Sequence, residues 1–362
     1  MTSKMKKFSP DWISPPGDTI LDILEECDWT QEDFAKRMGY SPKHISLLIN
    51  GKASITQDTA LKLERVIGGT ARFWLNREIQ YRENLHRLQE SEKLEKWVYW
   101  LDELPVKDLM KSGNIEKVRL TSKKKPDVVN DMLRFFGVAS PEEWKTEYKD
   151  MAVAFRSANK DHDIGAVSAW LRLGEIETKN ADIPPYNPSK FKKALAEIRN
   201  LTIKSPDEFK DEMKWLCNES GVLLIFVPSI PGAHVSGAAR WLNPHKPLIQ
   251  LSLYGKSNDK FWFSFFHEAA HILKHDKKNV FLDDSLNTNN NCSSEEIEAN
   301  YLASEILISP EHIRNLPDLH SKNAVKQFSS DIGIHPGIVV GRMQYEGLIK
   351  QSWMNDLKEH LN

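Results

Sequence analysis

Two histidines four residues apart, His267 and His271, interrupt a strongly apolar stretch that reads Phe261-Trp-Phe-Ser-Phe-Phe-His-Glu-Ala-Ala-His-Ile-Leu-Lys-His275. On a helix such a pair shares one face, so two imidazole nitrogens can reach a single ion, with Glu268 beside them at the rim. The arrangement is H-E-x-x-H. Zinc accepts imidazole readily and, to do chemistry, needs a third protein ligand and an open position for water. One Zn2+ per chain is the expected cofactor, with Glu268 as the general base. His275 lies a further helical turn along and is expected as an outer partner of the site or a surface residue.

The third ligand must come from elsewhere. After the Asn-rich stretch 287–291 and Cys292, Ser293-Ser-Glu-Glu296 forms an S-x-x-E capping box that opens a second helix, running to about Ile308 and ending before Pro310. Glu295, Glu298, Tyr301 and Leu302 fall on one side of it, so a carboxylate points with bulky apolar groups toward the interior. Spacing leaves Glu295 and Glu298 both open. An exposed acidic first turn, favoured by the helix dipole, suits Glu295 and Glu296 better than Glu298.

The elements that must position these residues begin with a helix over Pro206–Ser220 and three short β-rich runs, at Val222–Val227, Val235–Leu242 and Pro247–Leu253. They predict a small sheet just before the metal helix. An extended peptide can add to a sheet edge through its backbone, and the strand around Gly237–Trp241 is the expected edge. His234, Arg240 and Tyr254 are candidates for stabilising an oxyanion or for supporting the ligands.

The first ninety residues have a different texture, with short, closely spaced helical patterns punctuated by Gly39, Gly51 and Gly68-Gly69. Asp18 can cap Ile20–Leu24, Thr30 can cap Gln31–Met38, Gly39 makes a turn, and Ser41-Pro42 opens the next helix. Helix, tight turn, helix results, with Phe34, Ala35, Met38, Ile45 and Leu48 as core. A connecting helix over Tyr81–Leu101 follows, one that can pack or dimerise.

Two resemblances sharpen this reading. His267 to His275 followed by Glu298-Ala-Asn-Tyr-Leu-Ala303 resembles the ImmA/IrrE family of zinc metallopeptidase-like proteins, with Ala269-Ala270 where many members carry Leu-Gly. It extends from roughly Trp170 to Arg342, implies a gluzincin-like site with Glu298 as third ligand, and implies cleavage of repressors or other regulators. Trp29 to Gly51 resembles the lambda-repressor-like (XRE) helix-turn-helix, particularly its HigA-type antitoxin branch. In that fold Gln31 would reach phosphate, Lys43, His44 and Ser46 would face base edges, and Lys52 would hold the backbone.

Bulk properties bound the remainder. A chain of 362 residues, 40% hydrophobic, has room for two or three cored domains. No opening signal or membrane-length apolar run is present, so a cytoplasmic protein with no membrane partner is expected. Cys27, Cys217 and Cys292 are too few and too scattered for a disulfide framework. Net charge of −2, with 13 basic and 13 acidic residues in 1–90, confines DNA binding to a local surface; Ser41 to Lys52 supplies two lysines and no acid. The expected architecture is mainly α with a small β-sheet: a helix-turn-helix domain over 1–90, a helical middle region over 91–200 and a metallopeptidase domain over 201–362. The expected function is a zinc-dependent endopeptidase that cleaves a repressor or antitoxin-like protein, with operator DNA as a second partner and a homodimer as one assembly. The alternative is a DNA-binding regulator whose zinc domain senses or binds a partner without turnover.

Overall fold

The computed structural model describes residues 14–148, 163–252, 256–275, 281–284 and 294–361. Contacts divide the chain into two compact units, Met1–Val98 and Tyr99–Asn362.

In the first unit, α1 (Pro16–Glu26), α2 (Gln31–Met38), α3 (Pro42–Ile49) and α4 (Gln57–Ile67) precede the long α5 (Ala71–Lys96). Thr30 and Asp33 form a reciprocal capping box at the start of α2, and Gly39 closes it at φ 68°. The Ser41 side chain then accepts from the His44 amide, with Pro42 at the first helical position. Such caps are each worth about 1 kcal/mol and fix where the turn falls. Phe34, Ala35, Met38, Ile45 and Leu48 are all buried, together with Ile20, Leu63 and Trp74. Gly17 lets α1 cross α3 closely, because a Cβ there would collide with the Ile49 carbonyl. One local expectation is corrected. Asp18 does not cap α1, which starts at Pro16 after Pro15; instead its carboxylate accepts from Ser14 Oγ at 3.0 Å.

The second unit starts with α6 (Val106–Lys111), α7 (Lys125–Phe136) and α8 (Pro141–Glu147), and an aromatic cluster of Trp100, Phe136, Trp144 and Tyr148 joins α7 and α8 to the segment before α6. It continues through α9 (Ile164–Thr178), α10 (Pro188–Asn200) and α11 (Pro206–Glu219) to strands β1 (Leu223–Phe226), β2 (Val235–Asn243) and β3 (Lys246–Leu251). Next come the short β4 (Lys256–Ser257), α12 (Asn258–Lys274), β5 (Phe281–Asp284) and α13 (Ser294–Leu307). The chain closes with α14 (Pro310–Ile313), α15 (Lys322–Ile332), α16 (Pro336–Tyr345) and β6 (His360–Leu361). The fold is mainly helical with a small sheet. Among the described residues, no helix is long and apolar enough to cross a membrane.

The main sheet has the order β1-β3-β2-β5, parallel between β1 and β3 and antiparallel elsewhere. This corrects the expected edge: β2 is interior, pairing with β3 on one side and with β5 through Val235 to Ala239 on the other. The strand that takes the outer place, β5, follows α12 in sequence and is only four residues long. Alternation along β2 and β3 gives the sheet two different faces. Ala239, Ile249 and Leu251 join the core around α12, with Phe261, Trp262, Phe265 and Phe266. Arg240 and Gln250 turn the other way, onto α9. Gln250 donates to the Trp170 carbonyl at 2.7 Å, the Trp170 indole donates to the Val227 carbonyl at 3.1 Å, and Gly174 leaves room for the Gln250 side chain. The Trp170–Glu175 segment therefore roofs the far face of the sheet.

α12 is buried almost all round, as a core helix must be when its sequence is apolar on every side. The C-terminal residues clamp its start. The Asn258 amide donates to the Glu359 carbonyl at 2.8 Å, Lys358 pairs with Asp259 at 2.6 Å, and β6 pairs with β4. Gly337 and Gly341 allow α16 to pass close to Asn258 and Asp259.

Candidate metal centre

His267 and His271 project from one face of α12 with their Nε2 atoms 3.0 Å apart. The carboxylate that meets them belongs to Glu296, at 3.2 Å from His267 Nε2 and 3.4 Å from His271 Nε2. Among the described residues these three form a group able to hold a metal ion, with ligand atoms all within 4.8 Å of one another. The donor set of two imidazoles and one carboxylate suits zinc. The outer nitrogens are engaged elsewhere: His267 Nδ1 lies 3.0 Å from Asn300 Oδ1, and His271 Nδ1 lies 2.8 Å from His275 Nδ1. Asn300 Oδ1 can only accept, so it fixes the proton of His267 on Nδ1 and leaves Nε2 as the lone-pair nitrogen. Burial, with His267 and His275 adding to it, pushes the His271 pKa down to about 2, so this imidazole is neutral and able to ligate. Phe281 of β5 stacks on its ring at 3.9 Å. Of the three groups only Glu296 is partly open to solvent. The chain thus presents a donor set that fits a divalent ion.

Glu298, the expected third ligand, does not meet the two imidazoles in this structure. Glu298 is half exposed and pairs with Lys274 Nζ and His275 Nε2, each at 3.4 Å, away from the two Nε2 atoms that converge. The reason lies in the inward face of α13, which is lined by Ala299, Ala303 and Leu307; Tyr301 is exposed. Small residues bring α13 close to α12, and the polar groups one turn apart on the approaching side are Glu296 and Asn300. The spacing of Tyr301 and Leu302 leaves Glu295 and Glu298 open and the resemblance implies Glu298, whereas the carboxylate beside the imidazoles is that of Glu296. The i, i+4 pair Glu296/Asn300 flanking an alanine was the available signal.

Glu268, the expected base, is fully buried, next in sequence to His267. It is accommodated by Gly237 of β2, where a Cβ would stand 2.8 Å from Glu268 Oε1 and 3.0 Å from Leu251 Cδ2. The sequence places Gly237 only within the expected edge strand and carries no signal of its packing against Glu268. Arg240, expected near an oxyanion, is a second correction. It lies on the opposite face of the sheet from Gly237 and donates to Glu175 Oε1 at 2.6 Å and to the Leu171 carbonyl at 2.5 Å. Strand alternation separates positions 237 and 240. His234 is exposed in the turn before β2 with φ 51°. Tyr254 lies outside the described residues. His275 is brought to the site, against His271.

In the first unit Gln31, Lys43, Ser46 and Lys52 are exposed around α2 and α3. His44 is half buried, its ring 4.6 Å from that of Tyr40. The Ser46 hydroxyl stands 3.5 Å from Asn50 Nδ2, which donates to the Ser46 carbonyl at 2.7 Å.

A helix-turn-helix unit followed by an H-E-x-x-H helix met by a glutamate is the combination the chain displays. Residues 20–74 match the Helix-turn-helix family model and residues 217–334 match the IrrE N-terminal-like domain. Over 78 residues the chain is 38% identical to the uncharacterized HTH-type transcriptional regulator YddM of Escherichia coli, covering 22% of this chain and 78% of that protein. It is 34% identical over 67 residues to Virulence-associated protein I of Dichelobacter nodosus, covering 18% and 62%. Among solved structures, an addiction module antidote protein of a HigA family from Coxiella burnetii is 32% identical, covering 22% of this chain and 89% of that one, with a TM-score of 0.21. The chain belongs to the helix-turn-helix family through its first unit and carries an ImmA/IrrE-type domain in its second.

Proposed function

We propose that this protein is a zinc-dependent endopeptidase directed at a regulatory protein, a repressor or antitoxin-like molecule, and that its helix-turn-helix brings it to operator DNA. The observation that carries the reading is the convergence of His267, His271 and Glu296 beside a fully buried Glu268. When bound, zinc supplies a Lewis acid and lowers the pKa of a coordinated water. Beside an ion held by His267, His271 and Glu296, Glu268 would serve as the general base, accepting a proton from the attacking water and returning it to the leaving amine. Asn300 and His275 hold the two imidazoles in orientation, and Gly237 keeps the space in which the Glu268 carboxylate sits. Comparing protein N-termini in cells with and without this protein tests the reading directly. A small set of new termini in one or a few regulators is expected; their absence under every condition in which the protein is expressed and folded would remove the endopeptidase.

The space at Gly237 makes it sensitive. Gly237→Ala is expected to displace Glu268 and lower turnover about 10- to 100-fold, since sub-ångström to ångström misplacement of a reacting group has effects of that order. Zinc content should stay at the wild-type level, measured on the same preparation.

The DNA reading rests on exposed Lys43, Ser46, Lys52 and Gln31 around α2 and α3, on the family match of this unit and on the relative that is an HTH-type transcriptional regulator. Lys52→Ala is expected to weaken binding alike across sequences and to reduce the slope of log affinity against log salt by about 1, while Lys43→Ala, facing base edges, should cost about 1 to 3 kcal/mol and relax specificity. Fluorescence anisotropy on a selected operator across a salt series separates the two. Similarity to regulators over the first unit also supports a second reading, in which the zinc domain binds a partner without cleaving it.

A further inference from the structure

The start of α12 is fastened to residues 358–361 by polar groups that meet at one imidazole. The Asn258 amide donates to the Glu359 carbonyl at 2.8 Å, and Asn258 Oδ1 accepts from the amides of Asp259 at 2.9 Å and Glu359 at 3.2 Å. Two backbone donors on Oδ1 fix which way the buried Asn258 side chain points, so the atom 2.6 Å from His335 Nδ1 is Nδ2. Nδ2 can only donate. The Gly337 amide donates to the same ring nitrogen at 3.0 Å, which makes His335 the cap of α16. His335 Nδ1 faces two donors and has to carry a lone pair; the proton of the neutral ring is then on Nε2, which lies 3.8 Å from Glu359 Oε2.

Protonation puts a hydrogen on Nδ1, aimed at two N–H groups that cannot turn away: one is backbone, and the other is held by the contacts of its own amide oxygen. We infer that His335 is an acid-sensitive latch, which when neutral joins the first turn of α12 to α16 and to residues 358–361, and when protonated lets them part. The charged groups around the ring are Glu359 and Asp259, the latter paired with Lys358 Nζ at 2.6 Å. Burial pushes the His335 pKa below the usual imidazole value, and the two carboxylates pull against it without cancelling it. The ring also lies where α12 and α16 begin, and helix N-termini disfavour a cation. A lowered pKa means that the released ring binds a proton more readily than the latched one. The latch is therefore at full strength above about pH 6.5 and weakens as pH falls below that value. α12 carries His267 and His271, so the switch acts on the helix of the proposed metal centre, while the latch itself needs no metal.

The test uses the full chain without metal, as wild type, His335→Asn and His335→Ala. Asparagine brings an oxygen that accepts but does not titrate to about the place of Nδ1, and it leaves Glu359, Asp259 and His360 in place, so any titration of theirs is common to both proteins. Hydrogen exchange at pH 7.5 and 5.5, read by mass spectrometry on peptides covering 256–260 and 357–361 and corrected for the intrinsic pH dependence of exchange, reports how often this junction opens. Wild type is expected to lose protection by about 3- to 10-fold on acidification, as one linked proton allows, and His335→Asn by less than about twofold. His335→Ala should be poorly protected at both pH values. In 15N spectra of histidine-labelled wild type at pH 7.5, His335 should be the Nε2–H tautomer. An equal loss in wild type and His335→Asn, no loss in wild type, an asparagine variant as unprotected as His335→Ala at pH 7.5, or an Nδ1–H tautomer would each overturn the inference. Should His335→Ala not fold, wild type against His335→Asn still decides. A protein that binds no zinc would remove the proposed function and leave this result standing, since no metal enters the measurement.

Discussion

Glu268→Gln is expected to lower the rate of peptide cleavage by about 10² to 10⁴-fold, the range typical for removal of a general base, which is about 3 to 5 kcal/mol on the barrier. The substitution keeps the shape of a side chain that has no solvent exposure and sits against Gly237 with little room to spare. It takes away only the ability to accept a proton. Zinc stoichiometry and melting temperature should therefore match wild type, so that loss of rate cannot be attributed to loss of metal or fold. Glu268→Ala would be less informative, because it opens a cavity next to the two histidines. Cleavage of the identified regulator and zinc content, measured on one preparation, check the prediction. Undiminished cleavage in Glu268→Gln would require a different base. Undiminished regulation without any cleavage in the wild type would favour the non-catalytic reading.

Arg240→Ala is expected to destabilise the second unit by about 2 to 4 kcal/mol while leaving zinc affinity within twofold. The guanidinium is buried, paired with Glu175 at 2.6 Å, and donates to a carbonyl of α9. Removing one partner of a buried pair leaves the other desolvated without compensation; Glu175 is partly solvated, which reduces the loss. Urea unfolding followed by a probe in the second unit measures the stability change, and chelator competition measures zinc. A variant of unchanged stability whose cleavage rate falls would return Arg240 to the reaction, against its position on the far face of the sheet.

Much of the architecture could be read from the residues because the signals were local. Capping by Thr30 and Ser41, the left-handed Gly39 and the apolar spacing of Phe34, Met38, Ile45 and Leu48 describe the helix-turn-helix without reference to anything distant. The pairing of His267 with His271 is equally local, a consequence of helical pitch. What escaped is what depends on how one element lies on another. The inward face of α13 is set by alanines that let it approach α12, and alanine carries little hydrophobic weight in a sequence pattern, so Glu296 and Asn300 were passed over in favour of Glu298. Strand order placed β5 outside β2, although β5 comes later in the chain and is too short to announce itself. The roles of Gly237 and of Arg240 follow from which face of the sheet each occupies, and that is decided by the packing of α9 and α12 on opposite sides.

The central claim is a metal centre built from His267, His271 and Glu296. The most direct measurement is zinc per chain by elemental mass spectrometry, after equilibration with a slight excess of zinc and desalting, for wild type, His267→Ala, Glu296→Ala and Glu298→Ala. The account predicts one zinc per chain in wild type, close to one in Glu298→Ala, and almost none in His267→Ala and Glu296→Ala. Zinc retained in Glu296→Ala and lost in Glu298→Ala, or a folded wild type that takes up none, would contradict it.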